Sequence, residues 1–122
     1  MAEKTQASFE AVAKARFVRC SPRKVRQVAD QIRAKSVDHA ISLLFTLKKH
    51  KKGAELLDKV LQSAVANFRE VHREQGIDTN QLKVASILVD QGPVYKRIRA
   101  RAQGRAYRIL KPLCHITVQV KV

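Results

Sequence analysis

A chain of 122 residues with 25 Lys and Arg against 10 Asp and Glu has a formal charge of +15. That excess goes beyond what solubility needs and points to a nucleic acid or an anionic membrane surface. Membrane insertion is the weaker branch: no apolar run approaches the ~18 residues of a spanning helix, and the opening MAEKTQASFEAVAKA lacks the apolar stretch of a secretory signal.

This length predicts one domain with a modest core. Cys20 and Cys114 lie far apart and form no CxxC, so they are expected as reduced, packed thiols in a cytosol-like compartment. Residues 1–10 are polar and unpatterned and are expected to be a flexible tail, with a single domain over 11–122.

From Ala11 the pattern alternates, which predicts a short strand with Ala13, Ala15 and Phe17 on one face and Lys14, Arg16 and Val18 on the other. Ser21-Pro22 reads as an N-cap followed by proline at the first helical position, and Val25, Val28, Ala29 and Ile32 follow at helical spacing. A first helix is expected over Pro22 to Arg33. Its opening turns hold Arg23, Lys24 and Arg26, where the macrodipole disfavours cations by ~0.3–1 kcal/mol each, unless an anion sits nearby. Lys14, Arg16 and Arg19 lie just upstream, and no acid occurs between Glu10 and Asp30.

A second helix is expected with Ala40, Leu43, Leu44 and Leu47 as its apolar stripe and Ser36 or Asp38 as its cap. The run Lys48-Lys49-His50-Lys51-Lys52 reads as a solvated loop and a secondary phosphate-binding candidate. The longest helix places Leu57, Val60, Leu61, Ala64, Phe68 and Val71 on one face, with Gly76 as its stop. Glu55 and Asp58 suit its N-terminal dipole, while Glu70 and Glu74 beside Arg69 and Arg73 read as surface charge. Ile77 to Gln81 is a polar connection.

The apolar segment Leu82 to Val89 and the alternating Ile116 to Val122 read as two strands. Between them, residues 92–111 contain Lys96, Arg97, Arg99, Arg101, Arg105, Arg108 and Lys111, and no acid follows Asp90. Strands flanking such a segment make a hairpin, reaching on the order of 25 Å from the body if both arms continue. These residues hold too few apolar side chains to build a core, so a partner rich in phosphate is expected to order them.

Catalytic cleavage would need carboxylates or histidines converging on one site. The acids are scattered, and His39, His50, His72 and His115 show no HExxH or zinc-finger spacing. His115 is read as making a structural hydrogen bond where the hairpin re-enters the sheet. No catalytic residues, metal or cofactor are expected. A helix-turn-helix regulator of DNA is the other alternative, from the spacing of the first two helices. Its second helix would present Asp38, His39 and Ser42, a poor set for reading bases.

Several stretches then carry a more specific message. Lys96, four residues, Arg101-Ala102-Gln103-Gly104-Arg105, nine residues, and His115 to Val120 resemble the signature of the large-subunit ribosomal protein twenty-two family. Ser21 to Arg26, Ser63 to Asn67 and Val89 to Pro93 extend the similarity, which covers roughly 11–120.

The resemblance implies an α+β fold, three helices packed on a small three-stranded antiparallel sheet, with the basic hairpin threaded through ribosomal RNA. It implies a structural constituent of the large subunit, and the short N-terminus without an Arg-rich, acid-poor transit segment favours a cytoplasmic ribosome of bacterial type over an organellar one. Ribosomal RNA, neighbouring large-subunit proteins and the nascent peptide would be its partners. RNA contacts would fall on Lys14, Arg16, Arg19, Arg23, Lys24, Arg26, Lys96, Arg97, Arg99, Arg101, Arg105, Arg108 and Lys111. A tip comprising Tyr95, Lys96, Arg97, Ile98, Arg99, Ala100 and Arg101 would line the peptide exit tunnel. Ala100 departs from the family, which often has proline there. The only aromatics of the hairpin, Tyr95 and Tyr107, are read as a central pair, with no stacking platform of the single-strand type and with RNA recognised by shape and phosphate.

Overall fold

The computed structural model describes residues 9–122. The chain runs β1 (Glu10–Val18), α1 (Pro22–Ile32), α2 (Val37–Leu47), α3 (Lys52–Val71), two short 3-10 turns, β2 (Lys83–Ala100) and β3 (Ala106–Lys121). The three strands form one antiparallel sheet in the order β1-β3-β2. The fold is therefore α+β, three helices against a small sheet whose β2-β3 hairpin outruns it.

The core lies between the helices and one face of the sheet. Central strand β3 turns Cys114, Ile116, Val118 and Val120 fully inward, as the two-residue strand period requires. Leu57, Leu61, Ala64 and Phe68 of α3 meet them from the helical side, essentially without exposure, and each such Leu or Phe contributes about 1.5–3 kcal/mol by burial.

Local chemistry sets the helix ends. Ser21 is extended (ψ 129°) ahead of Pro22, whose fixed φ suits the first helical position. α1 stops at Ile32, one residue short of the expected end. Arg33 leaves the helix (ψ 143°) and its guanidinium reaches the Ile87 carbonyl at 2.9 Å. Ser36 caps α2 by accepting from the His39 N–H at 3.4 Å.

Two expectations fail at the far end of α3. Val71 is 69 % exposed, because the core is closed there by the next residue. His72 packs its ring on Phe68 at 4.6 Å and Phe9 at 5.3 Å, and its Nε2 lies 3.2 Å from the Glu10 carbonyl. Phe9 and Glu10 are thus part of the body, packed on the core and paired in β1. The expected tail over 1–10 is corrected to that extent, and its first eight residues lie outside the described residues. Gly76, left-handed at φ 62°, ends the 3-10 turn Arg73–Gln75 that follows α3.

Three irregularities in the ladder decide which side chains face where. One extra residue in β1 between Ala15 and Val18 breaks the alternation, so Phe17 sits at φ 57° and is 60 % exposed instead of facing the core. A second, between Val84 and Ser86, brings Val84, Ile87 and Val89 inward and leaves Leu88 out. The third, between Gln91 and Val94, contains Gly92 and Pro93, the residue types a bulge tolerates. A Cβ on Gly92 would stand 3.0 Å from the Leu113 carbonyl oxygen, so only glycine passes there without displacement.

That third bulge governs the hairpin. Beyond it the pairs are Tyr95 with Lys111, Lys96 with Leu110, Arg97 with Ile109, Ile98 with Arg108, Arg99 with Tyr107, and Ala100 with Ala106. Every cation in these six pairs thus faces an uncharged residue. Continuing the body's register (Gln91 with Cys114) would oppose Arg97 to Arg108, and a slip the other way would oppose Lys96 to Lys111 and Arg99 to Arg108. Directly opposed like charges are destabilising; the bulged register keeps them out of the ladder and leaves one opposed pair, Arg101 and Arg105, in the exposed turn.

Both edges of the body sheet are covered by helix side chains. Asn67 of α3 donates to the Val12 carbonyl at 3.1 Å on the β1 edge. On the β2 edge, Arg26 donates twice to the Val89 carbonyl, at 2.8 and 3.2 Å. Such partners stop an open edge from pairing with another chain.

Candidate nucleic-acid interface

The arm begins where β1 stops. From Gln91 to Ala100, at about 3.3 Å per residue, it stands ~25–30 Å off the body. No residue from Tyr95 to Arg108 is buried. Residues opposed across an antiparallel pair share a face, so one face carries Tyr95, Arg97, Arg99, Tyr107 and Lys111, and the other Lys96, Ile98, Arg108 and Leu110.

The register moves the tip. The chain reverses through Arg101–Arg105, where the Arg101 N–H donates to the Arg105 carbonyl at 2.8 Å and Gln103 and Gly104 are left-handed (φ 63° and 68°). The segment Tyr95 to Arg101 expected as the tip is instead the outgoing strand of the arm, with only Arg101 in the turn. Ala100 forms the last ladder pair before it. Tyr95 is at the arm's root and Tyr107 towards its end, opposite different residues, so they do not form a pair. Each has its own cations: Arg19 and Arg97 stand 5.8 and 5.4 Å from the Tyr95 ring, and Arg101 stands 5.8 Å from that of Tyr107.

The cations expected on the body divide into four sets. Arg19 and Lys24 join Lys52, Arg97 and Lys111 around a concavity of about 680 Å³ at the arm's root. Lys14 and Arg16 line a separate hollow of about 280 Å³ with Asp90 and His115. Arg23 stands exposed on α1, whereas Arg26 is engaged in holding β2.

The basic run after α2 divides likewise. Lys48 is bound to Asp58 at 2.6 Å, so Asp58 is buried as an ion-pair partner rather than serving the dipole from the surface. Lys52 faces the concavity. Lys48 and Lys52 look alike in sequence, and only their positions around α3 separate structural from available charge.

No acid stands in the first turn of α1, and Ser21 makes no side-chain cap bond. The helix dipole therefore adds to the positive field of Arg19, Arg23 and Lys24. His115 accepts the Phe17 N–H on Nδ1 at 3.1 Å and meets the Phe17 ring edge-on at 5.0 Å, the structural bond expected where the hairpin enters the sheet. Cys20 and Cys114 are both buried and free. Burial foremost, and then Cys20, push the Cys114 thiol above its ordinary value.

Among the described residues no three His, Cys, Asp or Glu side chains cluster as metal ligands. No helix among them is long and apolar enough to cross a membrane. The exposed side of α2 offers Asp38, His39, Ser42, Phe45 and Thr46, with no cation for a DNA backbone.

The fold and this surface define a class: a small α+β body from which a basic, two-stranded arm projects. The family described as Ribosomal protein L22p/L17e matches residues 13–121, and the chain belongs to that family. It is similar to the large ribosomal subunit protein uL22 of Maridesulfovibrio salexigens, 53 % identical over 114 residues, which span 93 % of this chain and 98 % of that protein.

Proposed function

We propose that this protein is a non-enzymatic structural constituent of the large ribosomal subunit that binds ribosomal RNA through its arm and the adjoining body surface. The carrying observation is the arm, whose exposed ladder carries cations along its whole length while no core of its own holds it. Such a segment gains order from a polyanion that fills the space around it. Phosphate contacts position the protein through Arg19, Arg23, Lys24 and Lys52 on the body, and through Lys96, Arg97, Arg99, Arg108 and Lys111 along the arm. Lys14 and Arg16 form a second, smaller contact. The turn Arg101–Arg105 and the residues leading to it form part of the exit-tunnel wall and face the nascent peptide. Neighbouring large-subunit proteins are its other partners, in a cytoplasmic ribosome. Membership of the ribosomal family supports this reading, as does the similarity to a protein named for the large subunit.

Binding to large-subunit ribosomal RNA should weaken steeply with salt. With about six to eight phosphates neutralised, the log-log slope is of order −4 to −7. Arg99→Ala or Arg108→Ala should each make the slope shallower by about one. Arg26→Ala should instead lower stability and leave the slope nearly unchanged. A slope near zero for the wild-type chain would mean that the charge serves something other than RNA.

A further inference from the structure

The concavity at the arm's root is more than a patch of charge. Arg19, Lys24 and Lys52 approach it from the body, and Arg97 and Lys111 from the arm, while Tyr95, Leu110, Pro112 and Leu113 supply an aromatic and aliphatic wall. At about 680 Å³ it falls within the range of small-molecule sites, ~300–1,000 Å³. A surface that reads RNA only through phosphates has no use for the second wall. Tyr95 is 40 % exposed and Leu110 is 60 % exposed, and both border the space where the cations converge. The Arg19 and Arg97 guanidiniums, 5.8 and 5.4 Å from the Tyr95 ring, lie near the outer limit of about 6 Å for a cation–π contact. A base entering beside the ring would take the place of one of these guanidiniums on its face.

We propose that this concavity takes one unstacked nucleotide of the bound RNA, with its base on Tyr95 and its phosphate among Arg19, Lys24 and Lys52. The inference rests on the RNA-binding reading above and adds a single-strand contact to it. Unstacked bases are held in this way, on aromatic rings and guanidinium planes. Stacking is sequence-tolerant but sensitive to loss of the ring. The opposite-sided Lys96 and Arg108 lie outside the concavity and contact phosphate only.

The test uses the full chain and a large-subunit ribosomal RNA transcript. Tyr95→Ala should raise the Kd roughly five- to a hundred-fold, the range measured for loss of one stacked base, at an unchanged salt slope. Tyr95→Phe should restore binding, because the ring and not the hydroxyl makes the contact. Irradiation of the complex at 254 nm should attach RNA at Tyr95, and the adduct should vanish in Tyr95→Leu, whose unaltered circular dichroism would show an intact fold. Millimolar AMP should leave the RNA bound, which assigns the nucleotide to the polymer.

If the wild-type chain binds with a steep slope while Tyr95→Ala binds equally well, the nucleotide site is wrong and the RNA-binding reading stands. A Phe variant as weak as the Ala variant, an adduct absent from Tyr95, or displacement of the RNA by micromolar AMP would each overturn the site as well. Failure of the wild-type chain to bind the transcript would remove both.

Discussion

Strand β3 passes through two environments in sixteen residues. From Cys114 to Val120 it alternates between the core and the open face, and the core-facing residues are completely enclosed. From Ala106 to Lys111 the same strand, hydrogen-bonded to the same partner, has no buried residue at all. The backbone ladder is common to both halves, so the ladder alone does not explain why the chain is ordered. In the body, apolar burial offsets the roughly 1–2 kcal/mol per residue lost in fixing the backbone. In the arm that compensation must come from outside. The arm's sequence accordingly manages charge rather than volume, with each cation in the pairs from Tyr95–Lys111 to Ala100–Ala106 set opposite a neutral side chain.

The contrast breaks most visibly in the body. Val118→Asp places an unpaired carboxylate at a fully enclosed position of the central strand. It should cost several kcal/mol against a total stability of only about 5–15 kcal/mol. Chemical denaturation should show a chain largely unfolded, and RNA binding should be lost although no arm residue has changed. Ile98→Asp, at a site 76 % exposed on the same hairpin, should leave the unfolding midpoint nearly unchanged. Equal losses in the two variants would abolish the distinction between body and arm.

Cations separate in the same way. Lys48 lies 2.6 Å from Oδ2 of Asp58, whose side chain is only 5 % exposed; Gln62 also donates to that oxygen, at 3.2 Å, and Oδ1 has no partner. Lys48→Ala should cost ~1–3 kcal/mol, less than the 3–5 kcal/mol for breaking a fully buried pair because the lysine itself is 36 % exposed to screening water. The salt dependence of RNA binding should not move. Lys96→Ala should do the reverse, altering the salt slope and sparing stability.

The boundary between the two regions can be probed at Gly92. Its missing Cβ would meet backbone atoms of Leu113 at 3.0 and 3.1 Å. Gly92→Ala should therefore cost ~1–3 kcal/mol as an overpacked contact. Cross-strand nuclear Overhauser contacts between Val94 and Pro112 should weaken, while those between Ile87 and Val118 persist. Retention of both sets with an unchanged melting temperature would show that the bulge does not need glycine.

The smallest effect concerns pH. The Cys114 thiol is raised by burial, with Cys20 adding to the effect, so its neutral form is favoured by folding. This contribution to stability is complete below the ordinary thiol value of about 9.0. It is lost as pH rises beyond that value towards the raised one, because the unfolded chain gains by ionising first. Stability measured above pH 9 should fall less in Cys114→Ala than in the wild type. Parallel curves would mean that the thiol does not contribute.

Periodicity was sufficient for the helices, since Val25, Val28, Ala29 and Ile32, or Leu57, Leu61, Ala64 and Phe68, repeat at the spacing of one helical face whatever they pack against. Alternation likewise revealed β3, and an acid-free run of cations marked the arm. The signature from Lys96 to Val120 carried the family. Which cations are free was not legible: Arg26 and Lys48 differ from Lys24 and Lys52 only in what lies across from them, a β2 carbonyl and a buried carboxylate. Nor was the inward or outward facing of Phe17 and Val71, because a bulge shifts a two-residue period by one and His72 closes the core in place of Val71. The position of the tip and the gathering of Tyr95 with Arg19 and Lys52 depend on register and on the docking of α1 and α3 beside the arm. Those are distances between residues far apart in the chain, and only the packed structure sets them.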